Sequence, residues 1–161
     1  MAEYSANALQ NILPNASAIF TASPVPCNRG LIFHRDESGI FRLASPSRIA
    51  NGLSSWNRCC PCCRRMPEAL YQVGFHANIA IPTGGAVEAI SVGIAIDGTV
   101  DPSSTMISTP TAVEQFDNVG AEIIVAVPAI CGCESISVVN TSTQAIDMQN
   151  ANLVITYLGI R

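Results

Sequence analysis

The chain reads as an all-β protein, a sandwich or barrel of about eight to ten short strands. Three observations predict this. Apolar residues recur at every second position over several stretches, and Gly, Pro, Asn and Asp break those stretches at short intervals. No sustained 3.6-residue period appears beyond a turn's worth around residues 6–12. With 161 residues, one core is the expectation.

Residues 1–30 read as an N-terminal arm with a first strand, and 31–161 as the main β domain. From Leu31, "LIFHRDESGIFRLAS" gives two strands around a polar turn with Gly39 at its tip, a hairpin whose second strand draws on Ile40, Phe41 and Leu43. Residues 45–69 follow as a long loop with no apolar period and four cysteines. Loops of that length in compact domains are usually functional or disordered.

After the loop, Tyr71, Val73, Phe75, Ala77 and Ile79 alternate with Gln72, His76 and Asn78, a strand ended by Pro82 and Gly84-Gly85. The next strand sets Ile90, Val92, Ile94 and Ile96 against small Ser91, Gly93 and Ala95, so a second surface is expected to pack closely there. Further strands lie in "PSSTMISTPTAV" and in "QFDNVGAEIIVAVPAICGCESISVVNTST", with turns at Pro110, Asn118-Gly120 and Pro128. The closing "ANLVITYLGI" is almost continuously apolar or β-branched, the pattern of a strand covered on both faces.

Composition narrows the function. The sequence is 48% hydrophobic but 12% charged, about half the usual charged fraction. Such a surface is neutral and polar or is buried against other subunits. All eight basic residues are arginines and the net charge is -4, which disfavours a phosphate-tracking surface and hence nucleic acid. The start "MAEYSANALQNILPNASAIF" has neither a positive leader nor a membrane-length apolar run, so synthesis in a bacterial cytoplasm without signal peptide or anchor is expected.

The candidate chemistry is concentrated in "SSWNRCCPCCRRMPEA". Cys59, Cys60, Cys62 and Cys63 form two overlapping C-x-x-C pairs, half of a tetrahedral zinc site, which Cys131, Cys133 or the outlying Cys27 would have to complete. Disulfides within the loop, to Cys131 or Cys133, or between subunits are favoured over zinc, because closing a long loop contributes about 3–4 kcal/mol in the chain-entropy model. No cofactor is expected, with zinc the minority alternative. Arg58, Arg64 and Arg65 would lower the thiol pKa values if they approach them, and with Trp56 they make a candidate binding loop.

Elsewhere the catalytic signal is weak. His34-Arg35-Asp36-Glu37 sits where a hairpin turn already demands polar residues, and His76 shares a polar strand face with Gln72 and Asn78. Asp97, Asp101 and Asp117 match no calcium loop, and Gly84-Gly85 lacks the lysine and helix of a phosphate cradle. An enzyme is therefore not expected.

The order "SGIFRLAS", "ALYQVGFHANI", "ISVGIAIDGTVDPSSTM", "AEIIVAVPAICGCESISVVNTST" and "ANLVITYLGI" resembles the trimeric jelly rolls of the tumour-necrosis-factor and complement-head superfamily, including the tips of exosporium collagen-like proteins. The resemblance runs from about Leu31 onward and omits the cysteine loop. "MAEYSANALQ" and "NTSTQAIDMQNANLVI" are also similar to uncharacterised proteins of gut Firmicutes and their phages. The resemblance to the tumour-necrosis-factor and complement-head superfamily implies an antiparallel jelly-roll sandwich assembled as a homotrimer.

The expectation that follows is a non-enzymatic structural or display protein of a phage virion, of the capsid-decoration or head-fibre type. The alternatives are a spore-surface or appendage subunit cross-linked by disulfides, or a glycan- or receptor-binding module. Expected partners are further copies of the chain, a capsid or other particle-surface protein, and a glycan or receptor; no membrane is expected. The expected location is a virion or particle surface, with the spore surface as alternative.

Overall fold

A computed structural model describes residues 1–27, 30–35, 37–45, 67–129 and 133–161. Among them the chain is an antiparallel β-sandwich of jelly-roll type. One sheet runs β10(Asp117–Pro128), β6(Glu68–Ala80), β12(Ile146–Ile160), β1(Ala2–Ala6) and β3(Ala22–Val25), with β2(Gln10–Ile12) also on β12. The other runs β4(Ile32–His34), β5(Phe41–Ala44), β11(Cys133–Asn140), β7(Ile90–Ile96) and β8(Thr99–Val100), with β9(Met106–Ser108) also on β7. From β6 to β7, β9 to β10, β10 to β11 and β11 to β12 the chain changes sheet, which gives the fold its rolled topology.

The predicted alternation is realised as burial. Tyr71, Val73, Phe75, Ala77 and Ile79 all point into the core, and Val92 and Ile94 meet them from the facing sheet. The hairpin from Leu31 forms with Ile32 opposite Leu43; Phe41 and Leu43 are buried, whereas Ile40 is exposed. On the small-residue side of β7, β8 folds back so that a Cβ on Gly93 would overlap the Val100 side chain, the close packing that Ser91, Gly93 and Ala95 predict.

Aromatic and polar anchors fix the layers. Phe41 packs between Tyr4 and Phe20, with ring centroids 4.7 and 5.3 Å away. Tyr71 donates its hydroxyl to the Ala44 carbonyl at 2.8 Å, which satisfies the one polar atom of a fully buried ring. Burial raises its pKa, and the neighbouring Tyr157 adds to the shift.

Two buried polar residues complete the frame. Asn140 donates to the Ile12 and Gln144 carbonyls, both at 2.9 Å, and accepts from the Ser142 amide. The Ser104 hydroxyl accepts from the Ile94 amide at 2.8 Å and ties the 3-10 turn Pro102–Ser104 to β7. That turn is capped by Asp101, whose carboxylate accepts from the Ser103 amide.

The closing strand departs from expectation. Ala151, Leu153 and Ile155 enter the core, but Val154 and Thr156 on the reverse side are only half-buried, and no element of the described chain lies over them. The sandwich has two layers, so the reverse face of β12 is an outer face of the described sandwich.

Candidate functional site

The three longest described strands, β10, β6 and β12, share one outer face with β1. Strand alternation sends Leu70, Gln72, Gly74, His76 and Asn78 of β6 outward, and the pairing registers set their neighbours. Ala126 stands opposite Leu70. Ile124, Gln72 and Thr156 form the next row, followed by Glu122, Gly74, Val154 and Glu3, and then by Gly120, His76, Asn152 and Ser5.

Charge on this face is sparse and already partnered. The Gln72 amide donates to the Glu122 carboxylate, the Asn152 amide donates to Glu3 at 2.7 Å, and Asn118 donates to Asn78 at 3.1 Å. The His76 ring lies against Gly120, where a Cβ would overlap it. Around Gln72 the surface is aliphatic: Leu70, Ala126 and Val154 are half-buried and Ile124 is 56% exposed. Neutral amides beside aliphatic groups suit a protein surface or a polyhydroxylated ligand and offer nothing to a polyanion.

Of the residues singled out from sequence, Cys59, Cys60, Cys62, Cys63, Cys131, Trp56, Arg58, Arg64 and Arg65 lie outside the described residues. Cys133 opens β11 opposite Ala44, half-buried and with a free thiol. Cys27 lines a cavity of about 230 Å³ with Val25, Leu31, Ile32 and Tyr157. These two cysteines share one end of the sandwich, since the Ala44 amide donates to the Leu31 carbonyl. The residues that would complete a metal set or a disulfide framework there are among those not described.

Near Cys133, Glu134 has its carboxyl pKa raised, first by burial and then by the Asp97 and Glu68 carboxylates. Asp97 is engaged by the Ser135 amide and hydroxyl at 2.7 and 2.9 Å, and Glu68 by Arg161 at 2.7 Å. Each acid thus has a structural partner or neighbour. Among the described residues no group of three or more His, Cys, Asp or Glu is arranged to hold a metal ion.

The two histidines are also accounted for. His34 stacks on Phe41 with ring centroids 4.3 Å apart, and its Nε2 lies 3.0 Å from the Ser38 carbonyl. His76, exposed on the outer face, has Gly120 and Asn152 as its immediate row neighbours, with Ser5 one strand further on beyond Asn152. Sequence reasoning placed Gln72, His76 and Asn78 on one face of β6 but missed Ile124, Val154, Glu3 and Gly74 as their companions. Only the strand pairing brings these together.

No protein-family profile matches the chain. No curated protein matches it either. Among solved structures, the chain is similar to a family 35 carbohydrate-binding module from Paenibacillus barcinonensis at 16% identity, covering 96% of this chain and 97% of that one, with a TM-score of 0.33. A family 35 module from an environmental isolate gives 11% identity over 100% and 96%, with a TM-score of 0.38. One from Clostridium thermocellum gives 11% over 94% and 90%, with a TM-score of 0.32. At such scores the likeness assigns neither family nor ligand, and the sandwich described above rests on the chain's own two sheets.

Proposed function

We propose that this chain is a non-catalytic assembly and display protein, a jelly roll that self-associates through the outer face of its long-stranded sheet. The observation that carries this reading is that face itself: strands of 12, 13 and 15 residues present aliphatic side chains and paired amides with no unpartnered charge in the rows described. Strands as apolar as β12 normally have both faces covered, and a second copy would supply the missing layer.

The resemblance to trimeric tumour-necrosis-factor-like and complement-head jelly rolls makes three the expected number of chains. A virion surface, as a capsid-decoration or head-fibre protein, is the expected setting, with a spore surface as the alternative. Native mass spectrometry with and without reductant tests the assembly. A three-chain species that survives reduction supports it; a single chain in both conditions contradicts it, and chains joined only until reduction favour the disulfide-linked appendage.

A glycan-binding module is the second reading, favoured by one observation. Gln72, Asn78, Asn118 and Asn152 place amide groups across one sheet face, and such groups match sugar hydroxyls. A glycan array probed with the intact chain tests it, with binding lost in Gln72→Ala and Asn78→Ala as the supporting result.

A further inference from the structure

Gly74 has no explanation among the described residues of its own chain. It occupies the middle of β6, an interior strand paired with β10 on one side and β12 on the other. Glycine in a strand interior is destabilising relative to alanine. Two intramolecular reasons usually justify that cost, a positive φ or a neighbour too close for a Cβ.

The other described glycines each show one of the two. Gly30, Gly84, Gly98 and Gly159 have positive φ, and at Gly39, Gly85, Gly93 and Gly120 a Cβ would overlap atoms of the same chain. Gly74 alone among them has neither, because its φ lies outside the left-handed region and a Cβ would meet nothing within 4 Å.

A bare position in a strand interior is also where another molecule approaches the backbone closely. The space over Gly74 is bordered by Gln72 and His76 along the strand, and by Glu122 and Val154 on the neighbouring strands. We propose that Gly74 is the floor of a socket that receives an apolar side chain from a second copy of this chain. This rests on the self-association reading above.

Three features select a second copy as the occupant. The face measures roughly 40 by 20 Å from strand rise and spacing, or about 800 Å². That is the area one partner contributes to a standard stable interface. A sugar ring would call for a broad aromatic platform, and the outward rows of β10, β6, β12 and β1 contain no Phe, Tyr or Trp. A polyanion would call for cations, which those rows also lack. The same face supplies a fitting side chain in Ile124, which is one row from the socket and 56% exposed.

Sedimentation equilibrium of the intact chain under reductant, comparing wild type with Gly74→Val, tests the socket. Valine suits a strand and its Cβ meets no described atom at this position, so the variant is expected to keep the far-UV circular dichroism of the wild type. Self-association is expected to weaken at least about tenfold, and Ile124→Asn is expected to weaken it comparably. Should Gly74→Val fail to fold, Gly74→Ala reads the same contact, with a weakening of about threefold or more expected. A wild-type oligomer that either folded Gly74 variant leaves intact overturns the socket but not self-association. A wild type monomeric at every concentration overturns both.

Discussion

The imidazole of His76 lies across the bare backbone of Gly120, its cross-strand partner, so closely that a Cβ at 120 would occupy the same space. His76 is exposed, and the atoms nearest a Cβ at 120 belong to its ring, so Gly120→Ala is expected to displace that ring at little cost to folding. Stability should change by less than about 1 kcal/mol, since alanine also relieves the glycine penalty. The ring resonances of His76 in NMR spectra should shift clearly, and unchanged resonances would show that the ring does not rest there.

Ser104 carries more weight than its size implies. Its buried hydroxyl is the partner of the Ile94 amide, and Ser104→Ala leaves that donor unsatisfied inside the sandwich. A loss of about 1–3 kcal/mol in urea unfolding is expected, with the β-sheet spectrum retained. Exposed Ser103→Ala removes only the hydroxyl contact to Asp101, keeps the backbone amide that the cap engages, and should cost less.

Asn140 ties its own turn, at Ser142 and Gln144, to Ile12, which is 128 residues away in sequence. Replacing it with leucine strands two carbonyls and one amide, and a loss of about 2–4 kcal/mol is expected. Amide hydrogen exchange should show the first local opening at β2 and the 140–146 turn.

Alkaline pH should unfold the protein through its buried tyrosines. Burial raises the Tyr4 pKa to about 12, with Cys27 adding to the shift, and burial raises Tyr71 as well. For an acid whose folded pKa is raised, the associated stability is fully present below the unfolded value of about 10 and is lost as pH climbs through the folded one. The melting temperature should therefore fall between about pH 10 and 12, and Tyr4→Phe should make that fall shallower.

Glu134 follows the same sign at lower pH. Its raised pKa marks a charge that folding disfavours, so stability drops as the carboxyl ionises. Glu134→Gln is expected to raise the melting temperature at neutral pH and to leave it nearly unchanged in acid.

Much of the sandwich was legible because its strands alternate large and polar residues. Tyr71 to Ile79 and Ile90 to Ile94 announce their buried faces, and the Asp97-Gly98 turn follows from residue type. The first strand was harder to read: in Ala2-Glu3-Tyr4-Ser5-Ala6 the buried positions are mostly alanines, whose side chains are too small to show a period, yet it pairs along its length with β12. The bulge at Asn150, which takes a positive φ where the β12-β6 register shifts, was hidden because it follows from the pairing of distant strands.

The candidate site was legible only in part. Gln72, His76 and Asn78 stand out as a polar strand face, but Ile124 and Val154 look like core residues when read locally. Their outward position follows from the register that pairs Ile124 with Gln72 and Val154 with Gly74. The cysteines are conspicuous in sequence, and five of the seven lie outside the described residues.

Hydroxyl-radical footprinting of the intact chain in solution, read by mass spectrometry after normalising for intrinsic reactivity, tests the covering of the outer face most directly. In a single chain Ile124 is 56% exposed and Phe33, on the opposite sheet, is 44% exposed, so the two should then be modified to similar extents. Self-association through the β6, β10 and β12 face predicts strong protection of Ile124 and Leu70 while Phe33 stays reactive. Equal modification of Ile124 and Phe33 at concentrations where the chain is assembled would contradict it.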